Sequence, residues 1–272
     1  MNYLPFILKT IKKAGTLVLK ESKTNYKIEE KAKNDLVTNV DKASEALITK
    51  EIKRLFPAHA ILSEEDNFTN GLPKNIQNAK YIWIIDPIDG TLNFTKDLPF
   101  YAISIALFEK SKQSESSNFE YLEGEIIAGA VYIPRLDELF YAGKGKGAYL
   151  NGKKIHVSDT KKVEKSVLAT GFHLKGALQN IPYFEHIVGK CRAIRRFGAS
   201  AIDLVYTACG RFDGYWEFNI KAWDIAAGVL IVEEAGGCVT DINGNLLDLF
   251  GSQVLVTNGK IHKELSHFMG DV

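Results

Sequence analysis

The 272-residue chain contains only three cysteines, Cys191, Cys209 and Cys238, far apart and with no Cys-x-x-Cys pair. That scarcity excludes a disulfide scaffold and a zinc site, and leaves them as reduced core thiols. No apolar run approaches the roughly 20 residues that span a bilayer. At the start, Leu4, Ile7, Leu8, Ile11, Ala14 and Val18 recur at helical spacing with Lys9, Lys12 and Lys13 between them. This is an amphipathic helix and lacks a continuous signal-peptide core. A cytoplasmic, soluble protein with no membrane association is therefore expected. With 34 basic and 33 acidic residues the formal charge is +1, too small for a field that would draw nucleic acid. The clusters Lys144, Lys146, Lys153, Lys154 and Arg192, Arg195, Arg196 read as solvated surface. There is no Pro-rich linker and no internal repeat, so residues 1–272 are read as one unit. Its two lobes, 1–160 and 161–272, meet where the rhythm of the chain changes.

What the chain does have is a regular alternation of apolar runs and turns. A polar, Lys-rich stretch from Glu21 to Asn34 reads as a connection. Leu47, Ile48, Ile52, Leu55 and Phe56 then keep a helical period, with Asp41 at or near the helix start and Pro57 ending it. Short apolar strands are expected at 60–62, 81–85, 102–108, 126–133 and 139–141, and Asn151-Gly152 signals a hairpin turn. Residues 109–124 are too polar to support a core and read as an exposed hairpin loop. From Ser166 onward strand and helix alternate, ending a helix from Asp224 to Ala235 at Gly236-Gly237, where glycine suits the left-handed C-cap.

The most informative segment is Tyr81-Ile82-Trp83-Ile84-Ile85-Asp86-Pro87-Ile88-Asp89-Gly90-Thr91. An aromatic and β-branched strand runs into two carboxylates, a Gly and a Thr, at the strand end where ligands bind in open α/β folds. Two acids there repel each other unless a cation lies between them. Their three-residue spacing, with Pro87 inside it, differs from the two-residue spacing of phosphatases with a nucleophilic aspartate. Metal ligation is favoured over an aspartyl-phosphate. Three further acidic motifs share this character: Asp41 opening a helix, Ser63-Glu64-Glu65-Asp66 after a short strand, and Trp223-Asp224-Ile225-Ala226-Ala227-Gly228 with Asp224 at a helix N-cap. Each alone reads equally well as a cap or a solvated acidic turn. Together Glu64, Asp86, Asp89 and Asp224 offer only hard oxygen donors, which suit Mg²⁺ or Mn²⁺ rather than zinc. Thr91 adds a hydroxyl, and a helix beginning there would turn its free N–H groups toward an anion. The set describes a phosphoryl site in which water can be the nucleophile.

In these residues the chain resembles the inositol monophosphatase family, the lithium-sensitive, Mg²⁺-dependent phosphomonoesterases. The resemblance rests on Ser63-Glu64-Glu65, on Asp86-Pro87-Ile88-Asp89-Gly90-Thr91 with Asn93-Phe94 after it, and on Trp223 to Gly228 closing with Glu234-Ala235-Gly236-Gly237. These fall in family order across nearly the whole chain. The resemblance implies an α/β (α+β) fold, a layered α-β-α-β-α sandwich of the inositol monophosphatase and fructose-1,6-bisphosphatase type, with the active site between two lobes and commonly a homodimer. It implies two or three Mg²⁺ ions, with Mn²⁺ an alternative. Glu64, Asp86 and the Ile88 carbonyl would hold one, and Asp86, Asp89 and Asp224 a second, with a looser ion near Glu64. Thr91 and Asp41 would orient and deprotonate the attacking water, with Glu64 close by, and Gly90 and Thr91 would offer N–H groups to phosphate. Gly198-Ala199-Ser200 and Glu217 would meet the polyol, Asp89 and Asp224 lying beside it.

Ala199 lacks the hydroxyl often found there, and the family's lysine before Asp35 falls to Lys31 or Lys33. The loop at 109–124 is longer than usual. The expected activity is hydrolysis of inositol 1-phosphate or a similar small polyol phosphate by direct water attack. On the same fold 3'-phosphoadenosine 5'-phosphate, fructose 1,6-bisphosphate and NADP are alternative substrates. Some bacterial members associate with transcription and ribosome-assembly machinery, so a protein partner at Arg192, Arg195 and Arg196 is a further expectation.

Overall fold

The computed structural model describes residues 2–32, 35–70, 73, 75–111, 123–172 and 174–272. The elements in chain order are α1 (Leu4–Glu21), β1 (Ile28–Ala32), β2 (Asp35–Thr38), α2 (Asn39–Leu55), β3 (Ala60–Ser63), α3 (Glu64–Asn70), β4 (Tyr81–Asp89), α4 (Thr91–Thr95), β5 (Ala102–Lys110), β6 (Gly124–Ile133), β7 (Glu138–Gly143), β8 (Ala148–Leu150) and β9 (Lys153–Lys154). There follow β10 (Val167–Thr170), α5 (Leu174–Val188), β11 (Ala193–Arg195), α6 (Ser200–Ala208), β12 (Gly214–Phe218), α7 (Ala222–Glu234), β13 (Cys238–Thr240), β14 (Gln253–Thr257) and α8 (His262–Gly270).

One sheet runs β3-β4-β5-β6-β7-β8-β9 and a second runs β11-β10-β12-β14-β13. In the first, only β3 and β4 pair parallel, the rest being antiparallel hairpins. Helices α1 and α2 cover its outer face through Ile7, Ile11, Val18, Ile48 and Ile52, which meet Trp83, Ile103 and Ile105. Helices α6 and α7 fill the space between the sheets. Helix α7 is enclosed from Ile225 through Val232, as a sequence apolar all round requires. Trp216, Leu255, Leu265 and Met269 bury α8 against the far face of the second sheet, with Ile187 of α5 in the same cluster. The layers therefore stack α-β-α-β-α, as expected.

The polar stretch from Glu21 to Asn34, read as a connection, contains strand β1, paired antiparallel with β2. Its Ile-Glu-Glu-Lys-Ala sequence carries no apolar alternation, because a two-stranded ribbon has little core to face. Asn151 and Gly152 both take positive φ between β8 and β9, as the hairpin signal requires. Of the loop expected at 109–124, residues 112–122 lie outside the described residues, while Lys110 and Gly124 pair at its base. The three cysteines are free and half-buried. Among the described residues no helix is long and apolar enough to cross a membrane.

Candidate active site

The site forms where β4 ends. Side chains three apart on a regular strand point to opposite faces. Here Asp86 pairs with Ser104 and Asp89 with Ala102, so three steps on β4 match two on β5. This bulge restores the parity and brings Asp86 and Asp89 to one side of the sheet. Pro87, which has no N–H to give a ladder, occupies the extra stretch. Gly90 follows at φ 84° as the residue before α4, and a Cβ there would stand 2.9 Å from the Phe100 carbonyl oxygen and 3.1 Å from the Ala199 methyl. Only glycine fits both the conformation and the space.

Around this turn the other candidates gather from separate elements. Thr91 Oγ1 lies 3.0 Å from Asp41 Oδ1 and 3.0 Å from the Ile88 carbonyl oxygen, and can donate its single proton to either. Asp41 sits at the third residue of α2, where Oδ2 accepts the Thr38 N–H at 2.8 Å in a capping box. Asp86 Oδ1 accepts the Ile88 N–H at 3.0 Å. Asp89 Oδ2 accepts the Ala201 N–H at 2.7 Å, tying the β4 turn to the start of α6. Asp224 is the third residue of α7 rather than its N-cap: the residue before the helix is Lys221, whose N–H donates to Asp224 Oδ2 at 2.8 Å. At the third position the carboxylate closes the capping box through Oδ2. Asn93 Nδ2 donates to the carbonyls of Phe100 at 2.6 Å and Phe197 at 2.8 Å, closing the turn against the Gly198 segment. On that segment Gly198 has φ 74°, Ala199 is buried before α6, and the Ser200 hydroxyl donates to Glu217 Oε2 at 3.0 Å.

Electrostatics ties the acids together. Burial, then the charges of Glu64, Asp89, Asp224 and Asp41, raises the Asp86 carboxyl well above the ordinary range. Asp224 is raised by burial, then by Asp89 and Glu64. Asp89 is pushed up to about 7, by burial first and then by Glu217 and Glu64. Burial also lifts Asp41 to about 6 against the pull of its Thr38 and Thr91 hydrogen bonds. Among the described residues no Lys or Arg pairs with Asp86, Asp89 or Asp224. Glu64 differs: Lys31 Nζ bridges Glu64 Oε1 at 2.8 Å and Glu65 Oε1 at 2.7 Å, its side chain only 4% exposed. Of the two candidate lysines Lys31 reaches these acids, and Lys33 lies outside the described residues.

Buried, mutually repelling carboxylates without cationic side chains fit a divalent cation. Among the described residues no group of three or more Asp, Glu, His or Cys side chains is arranged to hold a metal ion by itself.

Sequence reasoning missed several side chains that shape this region. Lys31 is one of the two lysines named before Asp35, but its pairing with Glu64 across 33 residues is set by the fold. Tyr215, whose hydroxyl meets Glu217 Oε2 at 2.5 Å, and Asn180, which bonds Trp216 Nε1 at 2.6 Å, lay in segments read only for secondary structure. Asp203, fully buried with Oδ1 lacking a hydrogen-bond partner, gave no local signal.

A sequence model of the inositol monophosphatase family matches residues 2–268. The chain is 38% identical to the Nus factor SuhB of Escherichia coli over 98% of this chain and 96% of that protein. It is 43% identical to an inositol-1-monophosphatase of Synechocystis over 88% of this chain and 78% of that protein. The fold matches the solved inositol monophosphatase of Anabaena with a TM-score of 0.84, at 36% identity, covering 99% of this chain and 96% of that one. The chain belongs to the inositol monophosphatase family.

Proposed function

We propose that this chain is a Mg²⁺-dependent phosphomonoesterase acting on inositol 1-phosphate or a similar small polyol phosphate. Glu64, Asp86, the Ile88 carbonyl, Asp89 and Asp224 are the residues that would hold two or three Mg²⁺, with Mn²⁺ a substitute. When bound, the ions neutralise phosphate oxygens and lower the pKa of water.

The protein's own groups do the rest. Thr91 accepts a hydrogen bond from the attacking water and passes its hydroxyl proton toward Asp41. In the metal-free chain burial first, with the charge of Glu64, pushes the Asp41 carboxyl up to about 6, which favours its taking a proton. Glu64 stands close by on α3. The N–H groups of Gly90 and Thr91 face phosphate at the turn after β4. Gly198-Ala199-Ser200 and Glu217 border the alcohol, Glu217 accepting hydrogen bonds from neighbouring hydroxyls.

The observation that carries this reading is the contact of Thr91 with Asp41 beside Asp86 and Asp89, a proton path set against a cluster of unpaired acids. Release of phosphate from a panel of phosphomonoesters, with and without Mg²⁺, tests it. The panel includes 3'-phosphoadenosine 5'-phosphate, fructose 1,6-bisphosphate and NADP. A preference for one of these reassigns the substrate, and hydrolysis undiminished in chelator sinks the whole reading. Lithium sensitivity, a homodimer and a cytoplasmic location belong to the same proposal.

The likeness to a protein named as a Nus factor favours a second role beside the first, binding a protein of the transcription machinery. Arg192, Arg195 and Arg196 are exposed and available to such a partner, direct nucleic-acid contact not being required. A metal-ligand variant that has lost hydrolysis yet restores growth to a deletion strain would support that role; loss of both would tie it to catalysis.

A further inference from the structure

Glu217 is the last but one residue of β12, 8% exposed and so held almost wholly inside protein. Its position is fixed on three sides. Tyr215, two residues earlier and therefore on the same face of the strand, is fully buried and donates its hydroxyl to Glu217 Oε2 at 2.5 Å. Ser200 donates to the same oxygen at 3.0 Å. Both hydroxyls thus engage Oε2, leaving Oε1 for an incoming donor.

The third side is Gly171. A Cβ built there would stand 2.1 Å from the carboxyl carbon and from both oxygens of Glu217. The φ of Gly171 is not in the left-handed region, so the constraint here is contact alone: the carboxylate lies against a bare Cα, and a Cβ there would have to displace it. Gly171 follows β10, which pairs parallel with β12 at Thr170 and Trp216. Its height is set by Asn180, whose Nδ2 donates to the Gly171 carbonyl at 2.6 Å and to Thr170 Oγ1 at 2.9 Å. The Asn180 carbonyl oxygen in turn accepts Trp216 Nε1 at 2.6 Å. Two adjacent strands and α5 are locked together at the level of the Glu217 carboxylate.

We infer that Gly171 and Tyr215 are positioning residues for alcohol selection: by confining the Glu217 carboxylate they aim Oε1 at the hydroxyls of the leaving group. This rests on the polyol-phosphatase reading and adds which residues set its specificity. Moving the carboxylate by the width of a methyl group leaves the vicinal hydroxyls without a matched acceptor, a loss that falls on polyol esters and not on a simple aryl ester.

The experiment compares wild type, Gly171→Ala, Tyr215→Phe, Glu217→Ala and the Gly171→Ala/Glu217→Ala double variant. Each is assayed on inositol 1-phosphate and p-nitrophenyl phosphate at saturating Mg²⁺. The selectivity ratio, kcat/KM on inositol 1-phosphate over that on p-nitrophenyl phosphate, is expected to fall about tenfold or more in Gly171→Ala and several-fold in Tyr215→Phe, mostly through KM. Adding Gly171→Ala to Glu217→Ala is expected to change that ratio by less than about twofold, since the new methyl then has nothing to displace. Thermal unfolding supplies a readout independent of substrate. Gly171→Ala is expected to lower Tm by about 4 °C or more, and the double variant to recover most of that. An unchanged ratio in Gly171→Ala, or additive losses in the double variant, overturns the inference. A wild type that ignores inositol 1-phosphate overturns the substrate reading instead, and the recovery of Tm still decides whether Gly171 confines Glu217.

Discussion

Replacing Asp89 by Asn separates the electrostatic role of that side chain from its role in the fold, because the two point in opposite directions when no metal is bound. The Asp89 carboxyl is lifted from the ordinary 3.8 to about 7, chiefly by burial and then by the charges of Glu217 and Glu64. Its folded pKa lies above its unfolded one, so between these values the folded chain keeps a proton that the unfolded chain has lost. Stability from this group is therefore intact below about pH 4, declines as pH rises, and reaches its full cost above about pH 7. At about 1.4 kcal/mol per pH unit, the roughly three-unit gap sets a ceiling near 4 kcal/mol. Asn keeps the shape, and its carbonyl oxygen can still accept the Ala201 N–H at 2.7 Å. Asp89→Asn should thus stabilise the metal-free protein at pH 8 by about 1–3 kcal/mol, raising Tm by roughly 3–10 °C. At pH 5 the gain should shrink to about a third to a half, since the folded carboxyl keeps its proton there and pH 5 is only about one unit above the pKa of the unfolded one. Mg²⁺ should raise the wild-type Tm and do less for the variant, whose turnover should drop by about 10²-fold or more. Thermal scans in EDTA and in Mg²⁺ at the two pH values supply the test. A variant less stable than wild type in EDTA at pH 8, or equally stabilised by Mg²⁺, refutes the reasoning.

Catalysis should require Mg²⁺ and be inhibited by Ca²⁺, whose larger radius and irregular coordination misplace water and phosphate; full phosphate release in EDTA contradicts this, and Li⁺ titration checks the family's expected sensitivity. Thr91→Ala should slow the chemical step while leaving the Mg²⁺-induced rise in Tm largely intact, because the hydroxyl serves the proton path to Asp41. Rapid quench with labelled substrate should then find no phosphorylated protein in the wild type, and a stoichiometric burst of label would show a covalent route. Glu217→Ala should weaken use of inositol 1-phosphate by about tenfold or more and that of p-nitrophenyl phosphate far less. Equal losses on both would place Glu217 with the metal ligands or the fold.

Much of this fold was legible because its elements carry strong local patterns. The strand into Asp86, the helical period from Leu47 to Phe56 and the Gly pair after Ala235 each point to one answer, and long elements with clear periods are read most securely. The hairpin at Ile28–Thr38 escaped because its charged side chains encode neither a period nor a core, only pairing between two short strands. Asp224, expected at the N-cap, is the third residue of the helix, since an acid near a helix start reads alike as the N-cap or as the acid of a capping box, here one whose N-cap is Lys221. The candidate acids each stand in a motif that the sequence displays, yet the parity of Asp86 and Asp89 does not show there. The bulge between Asp86 and Asp89 explains how acids three apart on a strand come to one side of the sheet. Long-range partners were least accessible. Lys31 on Glu64 and Glu65, Asn93 on Phe197, and Gly171 beneath Glu217 join segments 33 to more than 100 residues apart. These pairs share a physical cause. A charge, an amide or a missing side chain has no preferred partner until the sheets and helices have set the distances. The candidate acids therefore stand in short motifs, while the contacts that hold them in place are set by packing.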